Sequence, residues 1–172
     1  MYEKTTKLLE LDLRKKIYFL VKKHSGCHFR ELERKSKIPA GTLRYHLDFL
    51  VKHSLLRREK QGNNLRYFFI PLQSENSLLL GMLRQKSLRS IILFILQNKK
   101  ATHRSLVEFT HLSPSTVSWH LKKLIKEKII LQENNFYSLA VFEEEIIKLL
   151  ISYRESFLDS LVNKTIEMWD VG

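Results

Sequence analysis

The sequence predicts a mainly α fold with small β-hairpins, α+β in class, built as two copies of one helical unit followed by a further helix. Three observations carry this: a repeat with a period of 74 residues, an apolar periodicity that divides each copy into three helices, and two short β-type runs after each third helix. The repeat aligns about forty residues without a gap, with Ile17 falling on Ile91, Leu32 on Leu106, Ile38 on Leu112, Leu47 on Leu121 and Leu50 on Leu124. Polar residues match as well, Arg30 with Arg104, Thr42 with Thr116 and His46 with His120, which points to duplication of a functional unit and not of a core alone. The expected division is 1–73 for the first unit, 74–140 for the second and 141–172 for a terminal amphipathic helix.

The first helix of the first copy is expected from about Leu8 to Lys23, with Leu13, Ile17, Leu20 and Val21 on one face; its counterpart runs from about Leu78 to Asn98. The second helix begins near His28 or Thr102, and Thr102 suits an N-cap because its hydroxyl can accept from an otherwise unpaired amide. A short turn follows, 36–41 or 110–115, each with a proline near the start of the next helix, where its missing N–H costs nothing. The third helix runs from about Gly41 to Lys52 and from Ser115 to Lys126. Leu43, Leu47 and Leu50, with Val117, Leu121 and Leu124, bury one side and leave the other free.

Leu55–Glu59 and Arg66–Ile70 form the first predicted hairpin around a basic tip at 60–65; Ile129–Glu133 and Phe136–Leu139 form a shorter one whose tip has no basic residue. From Glu143 to about Trp169 one long helical pattern carries Ile146, Leu150, Tyr153, Phe157 and Leu161 on one line and Ile147, Ile151, Leu158 and Val162 beside it. So wide an apolar surface needs more than one partner surface, either Leu78–Leu83 of its own chain or the same helix of a second copy in a homodimer.

A formal charge of +12 and a pI near 9.8 point to a polyanion. Residues 1–73 carry 17 basic and 7 acidic side chains and residues 74–140 carry 10 and 4, whereas residues 141–172 carry 3 and 7, so the two repeat units hold the excess. Cys27 is the sole cysteine, which excludes an intramolecular disulfide and a multi-cysteine zinc site; with His24 and His28 it makes the one conceivable metal set, and a helix-connecting turn is the stronger reading. No metal and no other cofactor are expected. No stretch suits a membrane span, and the expected location is cytoplasmic, nucleoid-associated. With five glycines, no phosphate-cradling Gly-rich loop, no nucleophile elbow and no His–carboxylate motif, the sequence gives an enzyme reading little support.

The segments Ile38-Pro39-Ala40-Gly41-Thr42-Leu43-Arg44-Tyr45-His46-Leu47-Asp48-Phe49-Leu50 and Leu112-Ser113-Pro114-Ser115-Thr116-Val117-Ser118-Trp119-His120-Leu121-Lys122-Lys123-Leu124 resemble the recognition segment of ArsR/MarR-type winged helix-turn-helix regulators. Tandem pairs of this kind, rich in lysine and isoleucine, are similar to archaeal transcriptional regulators, and the resemblance covers about residues 8–140. It implies a third helix in the major groove of double-stranded DNA and a wing, the hairpin, against the adjacent backbone or minor groove. By position it assigns Thr42, Arg44 and Tyr45 to bases or phosphates in the first unit, and Ser115, Thr116, Ser118, Trp119 and Lys122 in the second. Arg30 and Arg104 would meet phosphates, as would Arg58, Lys60 and Arg66 on the first wing. Arg44 is the best single residue for sequence readout, because a guanidinium pairs in bidentate fashion with guanine.

Tyr45 and Trp119 either pack on sugars and thymine methyls or belong to an interface between the units. His46 and His120 adjoin the apolar stripe and are read in a capping or buried hydrogen-bonding role, not as ligands or catalytic groups. Asp48, where the second copy has Lys122, would repel phosphate or accept from cytosine. The expected function is sequence-specific regulation of transcription, with contact to the basal transcription machinery as a further partner; the alternatives are an architectural protein that coats DNA, and an RNA-binding or protein-only adaptor.

Overall fold

The computed structural model describes residues 11–70, 74–154, 157 and 160–170. Helix α1 spans Asp12–Lys23, with Asp12 in its first turn and Lys22 and Lys23 in its last, each sign at the end of the helix dipole that favours it. The expected start at Leu8 lies outside the described residues. A turn through Gly26, at φ 83, leads to strand β1, Cys27–His28. Helix α2, Phe29–Ser36, is capped by the His28 imidazole, which accepts from the Glu31 amide at 3.2 Å. Thus His28 caps a helix, and the connecting turn read at His24, Cys27 and His28 includes a short strand.

Helix α3 covers Ala40–Lys52 and buries Leu43, Leu47 and Leu50 completely, as the spacing required. Strands β2, Leu56–Gln61, and β3, Asn64–Phe69, pair antiparallel, and β1 adds to the outer side of β3 with Cys27 opposite Tyr67. The tip is tighter than expected. Lys60, Gln61, Asn64 and Leu65 are paired strand residues, and the turn is the two residues Gly62 and Asn63, with Gly62 supplying φ 60.

The second unit repeats this plan. After α4, Ser74–Leu83, most of which belongs to the first unit, come α5, Lys86–Asn98, β4, Ala101–Thr102, α6, His103–Thr110, α7, Pro114–Lys126, β5, Ile130–Glu133, and β6, Phe136–Leu139. The sheet orders match, β1-β3-β2 and β4-β6-β5. Even the left-handed backbone is duplicated, at Lys37 and His111 and at Ser54 and Lys128, each pair 74 residues apart. The turn before each third helix is held alike, by Ser36 Oγ accepting from the Ile38 amide and Thr110 Oγ1 accepting from the Leu112 amide.

Two expectations are corrected. The helix expected over Leu78–Asn98 is broken: Gln85 is extended, its amide donates to Met82 O, and the buried Arg89 guanidinium donates to Leu83 O at 2.6 Å, which satisfies a carbonyl the break exposes. The terminal pattern is likewise two helices, α8, Glu143–Ser152, and α9, Ser160–Asp170. Ile146, Ile147, Leu149 and Leu150 of α8 and Val162 and Ile166 of α9 are buried, and Gln97 of α5 donates to Thr165 of α9 at 2.8 Å. The tail therefore covers its apolar width by folding onto its own unit, with Ile151 left half-exposed. Leu158 lies outside the described residues.

The chain divides into two compact units at Gly81/Met82. The first is organised around Ile17, Val21, Leu32, Leu43, Leu47 and Leu50; the second buries Ile91, Ile95, Leu106, Val117, Leu121 and Leu124. Among the described residues no helix is long and apolar enough to cross a membrane. Leu47→Ala and Leu121→Ala should each cost about 2–5 kcal/mol in urea unfolding, because the vacated volume cannot close in a packed core. Removal of the Thr102 cap, which accepts from Ser105 N at 3.1 Å, should cost about 1 kcal/mol.

Candidate nucleic-acid interface

Helical geometry sets which side chains the third helices offer. With three leucines of α3 buried, Thr42, Arg44 and Tyr45 point outward, and Tyr45 is 63% exposed. In α7 the same relation exposes Ser115, Trp119 (59%) and Lys122, while Thr116 and Ser118 are half-buried. The two helices begin differently. Ser113 caps α7, accepting from the Thr116 amide at 3.2 Å and sharing hydrogen bonds with the Ser115 and Thr116 hydroxyls. Pro39 precedes α3 and has no side chain able to cap, so the first amides of α3 are left without a side-chain acceptor.

The cations also differ between units. Arg30 is exposed at the start of α2, and among the described residues neither it nor Arg44 forms an ion pair; Arg44 instead lies over the Phe29 ring, 4.9 Å from its centroid. Arg104, at the position equivalent to Arg30, is paired with Glu108 at 2.9 Å one helical turn away. At the position of Arg44 the second unit has Ser118, whose hydroxyl hydrogen-bonds His103 Nε2 at 2.9 Å.

The Asp48 carboxylate, expected to face phosphate or cytosine, accepts from Arg58 of β2 at 2.7 Å, tying the first wing to its third helix. The second unit has Lys122 and Gln132 at the corresponding places, so both members of the pair are replaced together. Lys60 is exposed in β2. Arg66 is a correction: its place opposite Glu59 and His28 turns it inward, it is 4% exposed, and its guanidinium donates to Gly26 O at 2.6 Å. Its role is to hold the turn before β1, and no phosphate can reach it there. The second wing carries Glu133 and the exposed apolar residues Leu131 and Phe136.

A cleft of about 560 Å³ lies in the first unit, with Phe29, Arg30 and Arg44 on one side and Asn63, Asn64 and Leu65 of the wing on the other. Sequence reasoning named both arginines and missed that the longer hairpin lines the same cleft. The signal was the pair Phe29/His103 set against Arg44/Ser118, which exchanges a ring-stacked guanidinium for a hydrogen-bonded imidazole.

Behind each exposed aromatic is a buried histidine. His46 and His120 are 6% and 8% exposed, each edge-on to its neighbour Tyr45 or Trp119, and among the described residues neither Nδ1 has a hydrogen-bond partner. Both histidines are buried as expected, and among the described residues Nδ1 does not carry the hydrogen-bonding role expected of them. Burial holds both imidazoles below the ordinary histidine range, with Arg14 adding to it at His46 and Lys123 at His120.

Two outcomes follow. Arg66→Gln should lower the denaturant midpoint, whereas Arg58→Gln, which removes an exposed ion pair, should change stability by less than about 1 kcal/mol. For the histidines, the folded state refuses a proton that the unfolded chain accepts near pH about 6.5, so stability is full above that pH and falls as pH drops toward the lowered folded values. His46→Gln and His120→Gln should flatten the fall in thermal midpoint between about pH 7 and 5 relative to the parent chain; equal slopes in parent and variants would refute the assignment.

Comparison with known proteins agrees with this architecture. Residues 11–76 match a family described as an N-terminal HTH domain, and residues 84–130 match one described as winged helix-turn-helix DNA-binding. An uncharacterised HTH-type transcriptional regulator of Methanocaldococcus jannaschii is 34% identical over 118 residues, which are 69% of this chain and 30% of that protein. The chain thus spans about a third of this relative's length. Among solved structures, a chain of the Nse1-Nse3-Nse4 complex is 14% identical with a TM-score of 0.33, covering 80% of this chain and 71% of that one. The two domain matches, together with the duplicated helices and wings, show that the chain carries two winged helix-turn-helix domains in tandem.

Proposed function

We propose that the chain is a sequence-specific, double-stranded DNA-binding transcriptional regulator whose third helices enter the major groove. The observation that carries this reading is the outward face of α3, where Thr42, Arg44 and Tyr45 stand opposite a fully buried leucine stripe and Arg44 has no carboxylate partner among the described residues. Arg44 reads a base, Thr42 and the uncapped start of α3 meet phosphate, and Arg30, Lys60 and Arg58 follow the backbone. In the second unit Lys122 and Arg104 serve the backbone, and Ser115, Thr116, Ser118 and Trp119 line the contact, with less electrostatic grip because its wing has no cation. The relative's description as a transcriptional regulator supports the same reading. A second copy and the basal transcription machinery are the further partners proposed.

The charge of +12 favours one competing reading, an architectural protein that coats DNA. Selection from a random duplex pool separates the two, since a specific reader enriches a motif and a coating protein does not. On an enriched duplex, Arg44→Ala should weaken binding by about 1–3 kcal/mol and relax the preference at one base pair. Arg30→Ala should weaken all duplexes alike and lower the slope of log K against log salt by about 0.9. Failure to enrich any motif, with equal salt-sensitive affinity for every duplex, would replace specific regulation with coating.

A further inference from the structure

We propose that the cleft of the first unit is a binding site for a small phosphorylated heterocycle of mononucleotide size. Arg30 and Arg44 supply two guanidiniums that, among the described residues, are in no ion pair, and guanidinium forks match the oxygens of a phosphate monoester. Across from them Asn63 and Asn64 bring side-chain amides, each both donor and acceptor, which is the chemistry that reads the polar edge of a heterocycle. Leu65, 46% exposed on the wing, and Phe29 on the facing side give apolar surface for a ring. The volume of about 560 Å³ fits a ligand of this size, as small-molecule pockets run from about 300 to 1,000 Å³.

Phe29 and Arg44, which line this cleft, are not repeated in the second unit. There the residue equivalent to Phe29 is His103, which bonds to Ser118, the equivalent of Arg44, and to Pro114 O at 3.2 Å. That imidazole bridges α6 and α7 at the place where the first unit sets a guanidinium against a ring, and the second wing is four residues shorter, 130–139 against 56–69. The cleft thus depends on three departures of the first copy from the second: Phe29, Arg44 and the longer hairpin. Because Arg30 of the second helix, Arg44 of the third and the wing all line it, a ligand there and a duplex at the first unit would exclude each other, a consequence that rests on the DNA-binding reading.

The test is calorimetric titration of the full chain with adenosine 5′-monophosphate and, separately, with inorganic phosphate, in the absence of DNA. Binding of one equivalent of the nucleotide is expected, with Arg30→Gln and Arg44→Gln each weakening it about tenfold or more, and Arg104→Gln leaving it unchanged within about twofold. Phosphate alone should bind more weakly, since it leaves the wing unused. Both arginines are exposed, and matching thermal midpoints will show that the variants remain folded. The asparagine side-chain amide signals of 63 and 64 should shift on nucleotide addition in an NMR titration. No binding up to about 10 mM, equal loss in Arg104→Gln, or phosphate binding as tightly as the nucleotide would overturn the site. Nucleotide binding in a chain that binds no duplex would leave the site standing and remove the DNA reading instead.

Discussion

Everything the outer surface does depends on the burial of one stripe on each third helix. Leu43, Leu47 and Leu50, with Val117, Leu121 and Leu124, are at most 2% exposed. With about 1.5–3 kcal/mol gained per fully buried aliphatic side chain, rotation of either helix about its axis is not open to the fold. Arg44 and Tyr45 face outward because their neighbours must face inward. The histidines mark the edge of this constraint: each sits one position from an exposed aromatic, and burial first and a neighbouring cation second lower its affinity for a proton.

On that shared frame the two units have diverged in charge. The first has a long wing with cations, tied to its helix by Asp48 and Arg58, and an arginine stacked on phenylalanine. The second has a capped helix start, an arginine paired with a glutamate and a wing whose outer residues are leucine, phenylalanine and glutamate. Substitution in pairs, Asp48 with Arg58 against Lys122 with Gln132, keeps either helix from facing an uncompensated carboxylate. Two units of one element order thus present surfaces of different electrostatic strength.

The fold was largely legible because its signals are periodic. Burial at four- and three-residue spacing located α3 and α7, and the 74-residue repeat carried each element to its partner. What was illegible depended on single long-range contacts. Arg66 reads as a wing cation until the register places it opposite His28, where its guanidinium donates to the Gly26 carbonyl. The breaks at Arg84–Gln85 and after Ser152 interrupt apolar patterns with no Gly or Pro to announce them; at the first, Arg89 takes up the Leu83 carbonyl. Of the interface, the outward residues could be named from sequence, whereas the cleft required the tip to be two residues long and the strands to reach Gln61 and Asn64.

The duplicated left-handed residues carry a consequence for how each unit comes together. Lys37, Ser54, His111 and Lys128 adopt φ near 55° without being glycine, a conformation that costs an ordinary side chain about 1 kcal/mol or more. The local sequence therefore does not choose these helix ends; tertiary packing imposes them. A peptide cut to the two helices and their turn would lack the sheet and the first helix that hold those angles, and its helices would end elsewhere or fray. The helix-turn-helix is in this sense a product of the completed unit, not a preformed module to which a wing was added, and its geometry and its cooperativity are one property.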